Sequence, residues 1–135
     1  ILPLDASSLK KILVTGPASN SLGALSGGWS IHWQGAEDDE FIYGTTIYEG
    51  ILKYIGSANV IWNEGVSFTD VIDISSVVAD AKGADVIILC LGEAPEAEVD
   101  GNINDLSLSS AQLELYSALE ELNIPIILVL VEARP

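Results

Sequence analysis

An unbroken apolar run, Val86 to Leu91, begins after Asp85, is stopped by Gly92, and leads directly into a loop carrying Glu93, Glu96, Glu98 and Asp100. Apolar residues without alternation describe a strand buried on both faces, and such strands belong to parallel sheets covered by helices on either side. Three further segments read the same way: KILVTG (11–16), NVIWNEG (59–65) and PIILVLVE (125–132). Between them lie helical patterns at GTTIYEGILKYIG (44–56), DVIDISSVVADAKG (70–83) and SSAQLELYSALEELN (109–123). In the first, Thr45 or Thr46 caps the start and Gly56 ends the helix. In the last, Ser109 or Ser110 is the cap, Leu113, Tyr116, Leu119 and Leu122 form the inward stripe, and Asn123 before Pro125 stops it.

Strands alternating with helices require parallel pairing through right-handed crossovers. The expected fold is therefore a doubly wound, mostly parallel α/β sheet with helices on both faces, an α/β sandwich with local strand order 2-1-3-4. In that order the chain reverses across the sheet between the first and third strands. The loops after Gly16 and after Leu91 then open side by side, at the switch point where ligands bind in open α/β sheets.

Residues 1–135 form one domain by length, with 49% hydrophobic residues to build its core. Five Lys and Arg against 20 Asp and Glu give a formal charge of −15, which repels phosphate backbones and anionic membranes and argues against nucleic acid as a partner. Cys90 is the only cysteine and His32 the only histidine, too few soft ligands for a structural metal site, so no metal and no cofactor are expected. No apolar run nears the roughly 18 residues of a membrane span. The chain starts with a short polar lead and stops at Pro135 directly after an apolar run, the expected look of a fragment of a larger protein.

Two loops carry the chemistry. The first, Gly16 to Thr46, exceeds the roughly 15 residues usual for a structureless connection, and it holds Trp29, His32, Trp33, Phe41 and Tyr43. Gly27 and Gly28 permit the turn that presents Trp29. Indoles at Trp29 and Trp33 suit either of two uses, covering the sheet edge or stacking on the apolar face of a sugar ring. TGPASNSLG after the first strand lacks G-x-G-x-x-G spacing, and neither a Walker loop nor a G-x-S-x-G elbow occurs, so nucleotide binding and esterase chemistry have no anchor. In the second loop, Glu93 stands at the strand end. Burial beside the tryptophans and the charges of Glu96 and Glu98 would raise its pKa toward the range a general acid needs. The alternative is that these carboxylates are solvated loop charges, or that Asp100 and residues 102–105 cap the following turn and helix.

Three motifs in order carry a resemblance: ILVTGPASNSLGALSGGWSIHWQG (12–35), LCLGEAPEAEVDGNINDLSLSSAQLEL (89–115) and IPIILVLVEARP (124–135). The chain resembles the second, α/β sandwich domain of glycoside hydrolase family 3, the exo-acting β-glucosidases and β-glucan glucohydrolases. The resemblance implies a periplasmic or secreted retaining hydrolase of β-linked glucosides or oligosaccharides. Its Asp nucleophile would lie on a preceding (β/α)8 barrel domain, absent from this chain, and its acid/base Glu on this domain. Glu93 matches the Glu of the family's G-E-x-P-Y-x-E loop, which implies the acid/base, with Glu98, the second Glu of that loop, as the fallback donor. Trp29 matches the Trp of G-G-W that stacks on the sugar, with Gly28 and Trp33 beside it in the implied substrate site. Two positions depart from the pattern: Glu96 stands where Tyr is common, and Asn102 replaces an Asp. The competing class is a non-catalytic α/β module that binds carbohydrate or a partner chain through Trp29 and Trp33. A receiver-like domain would need an acidic cluster after the first strand, where Thr15, Gly16 and Pro17 stand.

Overall fold

The computed structural model describes residues 2–133. Among them, four parallel strands form one sheet in the order β2-β1-β3-β4, as the alternating pattern predicts. The strands are β1 (Ile12–Thr15), β2 (Val60–Asn63), β3 (Val86–Gly92) and β4 (Ile126–Val131). β3 is central and buried at every residue, because it pairs on both edges: Ile12 aligns with Val86 on one side, and Gly92 with Val131 on the other.

Alternate residues of the strands feed two separate cores. Leu13, Ile87, Leu89 and Leu91 pack with Val77 and Ala81 of α3 (Ile74–Ala81) and with Leu115 and Leu119 of α4 (Ser110–Glu120). Ile12, Val14, Ile88 and Cys90 face the other way, against Ala24 of the short α1 (Leu22–Ser26) and the apolar stripe of α2 (Ile47–Ile55). Helices thus cover both faces. Complete burial pushes the Cys90 thiol up to about 12, which leaves it a packing residue without nucleophilic character.

Caps set the helix starts. Thr46 accepts from the Glu49 N–H while the Glu49 carboxylate accepts from the Thr46 N–H, a reciprocal capping box, and Gly56 closes α2. Ser109 caps α4 and Asp73 caps α3 by accepting from Ser76. The inward face of α4 differs from the sequence expectation. Ala111, Gln112, Leu115 and Leu119 are buried, whereas Leu113 is 48% exposed; Tyr116 and Leu122 only flank the core. A polar residue at an inward position hides the true stripe from a hydropathy reading, and Gln112 is there for hydrogen bonding. The tryptophan-bearing connection also contains more structure than a loop, namely α1 and a 3-10 turn at Asp38–Glu40. Arg134 and Pro135, the end of the third motif, lie outside the described residues. No helix among the described residues is long and apolar enough to cross a membrane.

Candidate functional site at the carboxyl ends of β1 and β3

β1 leaves the sheet through Gly16, whose φ of +94° and closeness to β3 admit no side chain: a Cβ there would lie 2.3 Å from the Cys90 carbonyl oxygen. β3 ends equally tightly. A Cβ on Gly92 would lie 1.9 Å from the Val131 carbonyl oxygen, so only glycine lets β3 and β4 stay paired to the last residue. Both loops of interest therefore start from fixed points on adjacent strands.

Glu93 is the first residue beyond β3. Its N–H donates to the Val131 carbonyl at 3.0 Å, which continues the ladder, and its carboxylate Oε2 accepts from the Ala133 N–H at 3.3 Å. Its side chain is half-buried and lines a cleft of about 570 Å³ together with Gly27, Gly28, Pro95, Glu96 and the end of β4. The backbone before it is held by Gln112, only 1% exposed. The Gly92 N–H donates to Gln112 Oε1 at 2.9 Å, and Gln112 Nε2 donates to the carbonyls of Gly92 at 2.9 Å and Phe68 at 3.0 Å. Every polar atom of that buried amide is used.

The tryptophan loop crosses directly over the acidic one. Gly28 packs on it so closely that a Cβ would lie 2.3 Å from the Glu96 carbonyl oxygen. Beyond it the chain makes a tight reversal, with the Trp29 N–H donating to the Trp33 carbonyl at 2.9 Å. Trp29 at φ +63° and Ile31 at φ +61° occupy the left-handed region, an unfavourable state for bulky side chains that concentrates at functional sites. The two indoles meet at a centroid separation of 6.3 Å and a tilt of 44°, and they are 68% and 45% exposed. Neither belongs to the two cores. His32 Nε2 lies 2.6 Å from Glu40 Oε2, which ties the reversal to the following 3-10 turn. The Glu37 N–H and then His32 hold the Glu40 carboxyl below its usual value.

Of the residues singled out from the sequence, Gly28, Trp29, Trp33 and Glu93 lie on the two loops that meet at this rim of the sheet. Glu98 is exposed at φ +53°, at the start of a 3-10 turn spanning Glu98–Gly101. Sequence reasoning passed over three residues. Gln34 binds backbone in the acidic loop and Gln112 binds the backbone of Gly92 and Phe68, and a lone amide gives no signal in a sequence. Glu64 lines a second cleft of about 490 Å³ with Trp62, Asp38 and Phe68. Burial, and then the charge of Asp38, raise its carboxyl above the usual carboxylate range. Its signal was available: Glu64 follows β2 as Glu93 follows β3. Among the described residues no group of three His, Cys, Asp or Glu side chains is able to hold a metal ion.

A parallel α/β sandwich thus sets a carboxylate, a glycine turn and exposed indoles on one rim of the sheet. All of residues 1–135 match the glycosyl hydrolase family 3 C-terminal domain, and the chain belongs to that family. It is 40% identical to the lysosomal beta glucosidase of Dictyostelium discoideum over 142 aligned residues, which cover 100% of this chain and 17% of that protein. A mutant form of the exo-1,3/1,4-beta-glucanase from a Pseudoalteromonas species superimposes with a TM-score of 0.80 at 30% identity, covering 100% of this chain and 21% of that one. The beta-glucosidase of Listeria innocua in complex with glucose gives a TM-score of 0.78 at 27% identity, again with 100% of this chain and 18% of that one. The chain thus spans only 17% to 21% of the length of these relatives.

Proposed function

We propose that this domain supplies half of the active site of a retaining, exo-acting β-glucosidase or β-glucan glucohydrolase, completed by a barrel domain of the same enzyme. One observation carries the reading: Glu93 and the Gly27–Gly28 turn that leads into Trp29 line a single cleft at the switch point of the sheet. Glu93 acts as the acid/base, with Glu98 as fallback, and Trp29, flanked by Gly28 and Trp33, stacks on the sugar next to the scissile bond. An Asp on the barrel attacks the anomeric carbon, with the two carboxyl groups about 5 Å apart as retention requires. Glu93 gives its proton to the leaving oxygen, the glycosyl–Asp bond forms as the glycosidic bond breaks, and Glu93 then takes a proton from the water that releases glucose. The enzyme is proposed to work outside the cytoplasm, in the periplasm or secreted.

The test is Glu93→Gln in the full-length enzyme. On alkyl β-glucosides, whose leaving groups need a proton, turnover should fall by about 10² to 10⁴, the usual worth of general acid help, with KM little changed. A dinitrophenyl leaving group needs little protonation, so formation of the glycosyl intermediate, read as kcat/KM, should be largely spared, while steady-state turnover falls because water still needs Glu93 as base. Near wild-type activity of Glu93→Gln on the alkyl substrates would move the role to Glu98, where Glu98→Gln tests it in the same way.

A further inference from the structure

Between the end of β3 and the turn at Glu98–Gly101 the acidic loop belongs to no helix or strand, and the tryptophan loop packs against it there. Gly28 abuts the Glu96 carbonyl, and Gly35, at φ +91°, abuts the Pro95 ring, where a Cβ would lie 2.5 Å away. These two contacts fix proximity but not direction. Direction comes from Gln34, whose half-buried side-chain amide reproduces the hydrogen bonds of a neighbouring strand. The Ala97 N–H donates to Gln34 Oε1 at 2.7 Å, and Gln34 Nε2 donates to the Ala97 carbonyl at 2.9 Å and to Asp100 Oδ2 at 3.3 Å. An amide is the only side-chain group that can both accept from and donate to one residue's backbone in this planar way. Asn would be one methylene short, Leu would leave the Ala97 backbone without this partner, and a Glu carboxylate would oppose both the Ala97 carbonyl and Asp100.

We propose that Gln34 is a positioning residue for catalysis: it locks the loop that bears the acid/base carboxylate to the loop that bears Trp29, so that proton donor and sugar platform keep one fixed relation. Gln34 does not line the cleft that holds Glu93. It acts through Ala97, from which Glu93 lies four residues back toward β3 and Glu98 one residue on. The inference rests on the functional reading above and deepens it. Displacing a reacting group by about 1 Å costs on the order of 10²-fold in rate, so a loop freed at Ala97 should lose proton transfer before it loses binding.

The experiment compares Gln34→Leu and Gln34→Glu with Glu93→Gln and Glu98→Gln in the full-length enzyme, on an alkyl β-glucoside and on dinitrophenyl β-glucoside. For Gln34→Leu, kcat/KM on the alkyl substrate should fall about 10- to 100-fold while kcat/KM on the dinitrophenyl substrate, which reports a step that needs little protonation, falls less than about threefold. KM for the alkyl substrate, whose first step is slow, should stay within about twofold, since binding is spared. A purely structural role predicts equal losses on the two substrates. Equal losses, or none, with a leaving-group-dependent loss in a carboxylate variant, overturn the positioning role and leave the assignment of the acid/base standing. If neither Glu93→Gln nor Glu98→Gln shows such dependence, the functional reading falls and the role of Gln34 with it. Should Gln34→Leu fail to fold, Gln34→Glu keeps the acceptor for the Ala97 N–H and is read by the same ratio.

Discussion

Gln112 and Gly92 hold the backbone from which Glu93 projects, and each makes a sharp demand on its position. Replacing Gln112 with Leu leaves the buried N–H and carbonyl of Gly92 unpaired, at about 1–3 kcal/mol for each orphaned group. A urea titration of the chain should show this loss, with Leu113→Gln, on the exposed side of α4, as a near-neutral control. Gly92→Ala drives a methyl group into the Val131 carbonyl and should lower stability by about 3 kcal/mol or more. Glu64 tests the electrostatics of the second cleft. Its folded carboxyl is raised above the unfolded value, so its contribution to stability is complete below the unfolded pKa and is lost as pH rises through the folded one. Glu64→Gln should therefore stabilise the chain at pH 7, and the gain should shrink as the pH is brought down into the carboxylate range. A gain independent of pH would contradict the assignment. Of these residues Gln112 was the least legible in the sequence. Trp29 and Glu93 stand out because indoles and clustered acids are rare and loud, whereas a glutamine that pairs with a distant peptide looks like any surface amide until the fold brings its partner to it.

Elements read more plainly than residues. Each strand announces itself as a short apolar run, since burial on both faces removes the polar alternation, and the observed strands fall inside the expected segments. Helix starts are readable wherever a hydroxyl or carboxylate cap precedes an apolar stripe, as at Thr46 and Ser109. Thr46→Ala should cost about 1 kcal/mol by breaking the capping box of α2, and circular dichroism against temperature would show it. What is not readable has a physical reason. α1 is five residues long, too short for a period to register, and depends on Gly23 fitting against the Ala36 carbonyl at a spacing no side chain allows. The buried face of α4 departs from its hydropathy pattern because Gln112 fills an inward position. The start of β3 is tied to the lead segment by Asp85, whose Oδ2 accepts from the N–H groups of Lys10 at 2.6 Å and Lys11 at 2.9 Å. These bonds lower its folded pKa, so the stability they supply is present above the unfolded value of about 3.9 and fades as pH falls through the folded one. Asp85→Asn should shift the acid-unfolding midpoint toward higher pH.

For the domain taken as a unit, strand order is decisive. Only because β1 and β3 are neighbours do residues more than sixty positions apart share a rim, and the observed order β2-β1-β3-β4 is the one expected for this strand–helix alternation. The closeness of the crossing was not legible in the sequence. It depends on Gly16, set against Cys90 of β3, and on Gly28, Gly35 and Gln34, whose partners belong to the acidic loop. The proposed division of labour, with the nucleophile on the barrel domain, predicts that this chain alone releases no nitrophenol from an aryl β-glucoside. The full-length enzyme should do so.

Whether this domain contributes the acid/base is decided best by the configuration of a trapped product. In full-length Glu93→Gln enzyme supplied with dinitrophenyl β-glucoside and azide, the glycosyl intermediate should form without proton help. Azide, an anion that needs no base, should then attack it in the place of water. The expected product is β-glucosyl azide, formed with retention and with an accelerated turnover. An enzyme that ignores azide, or that yields the α-anomer, would refute the assignment.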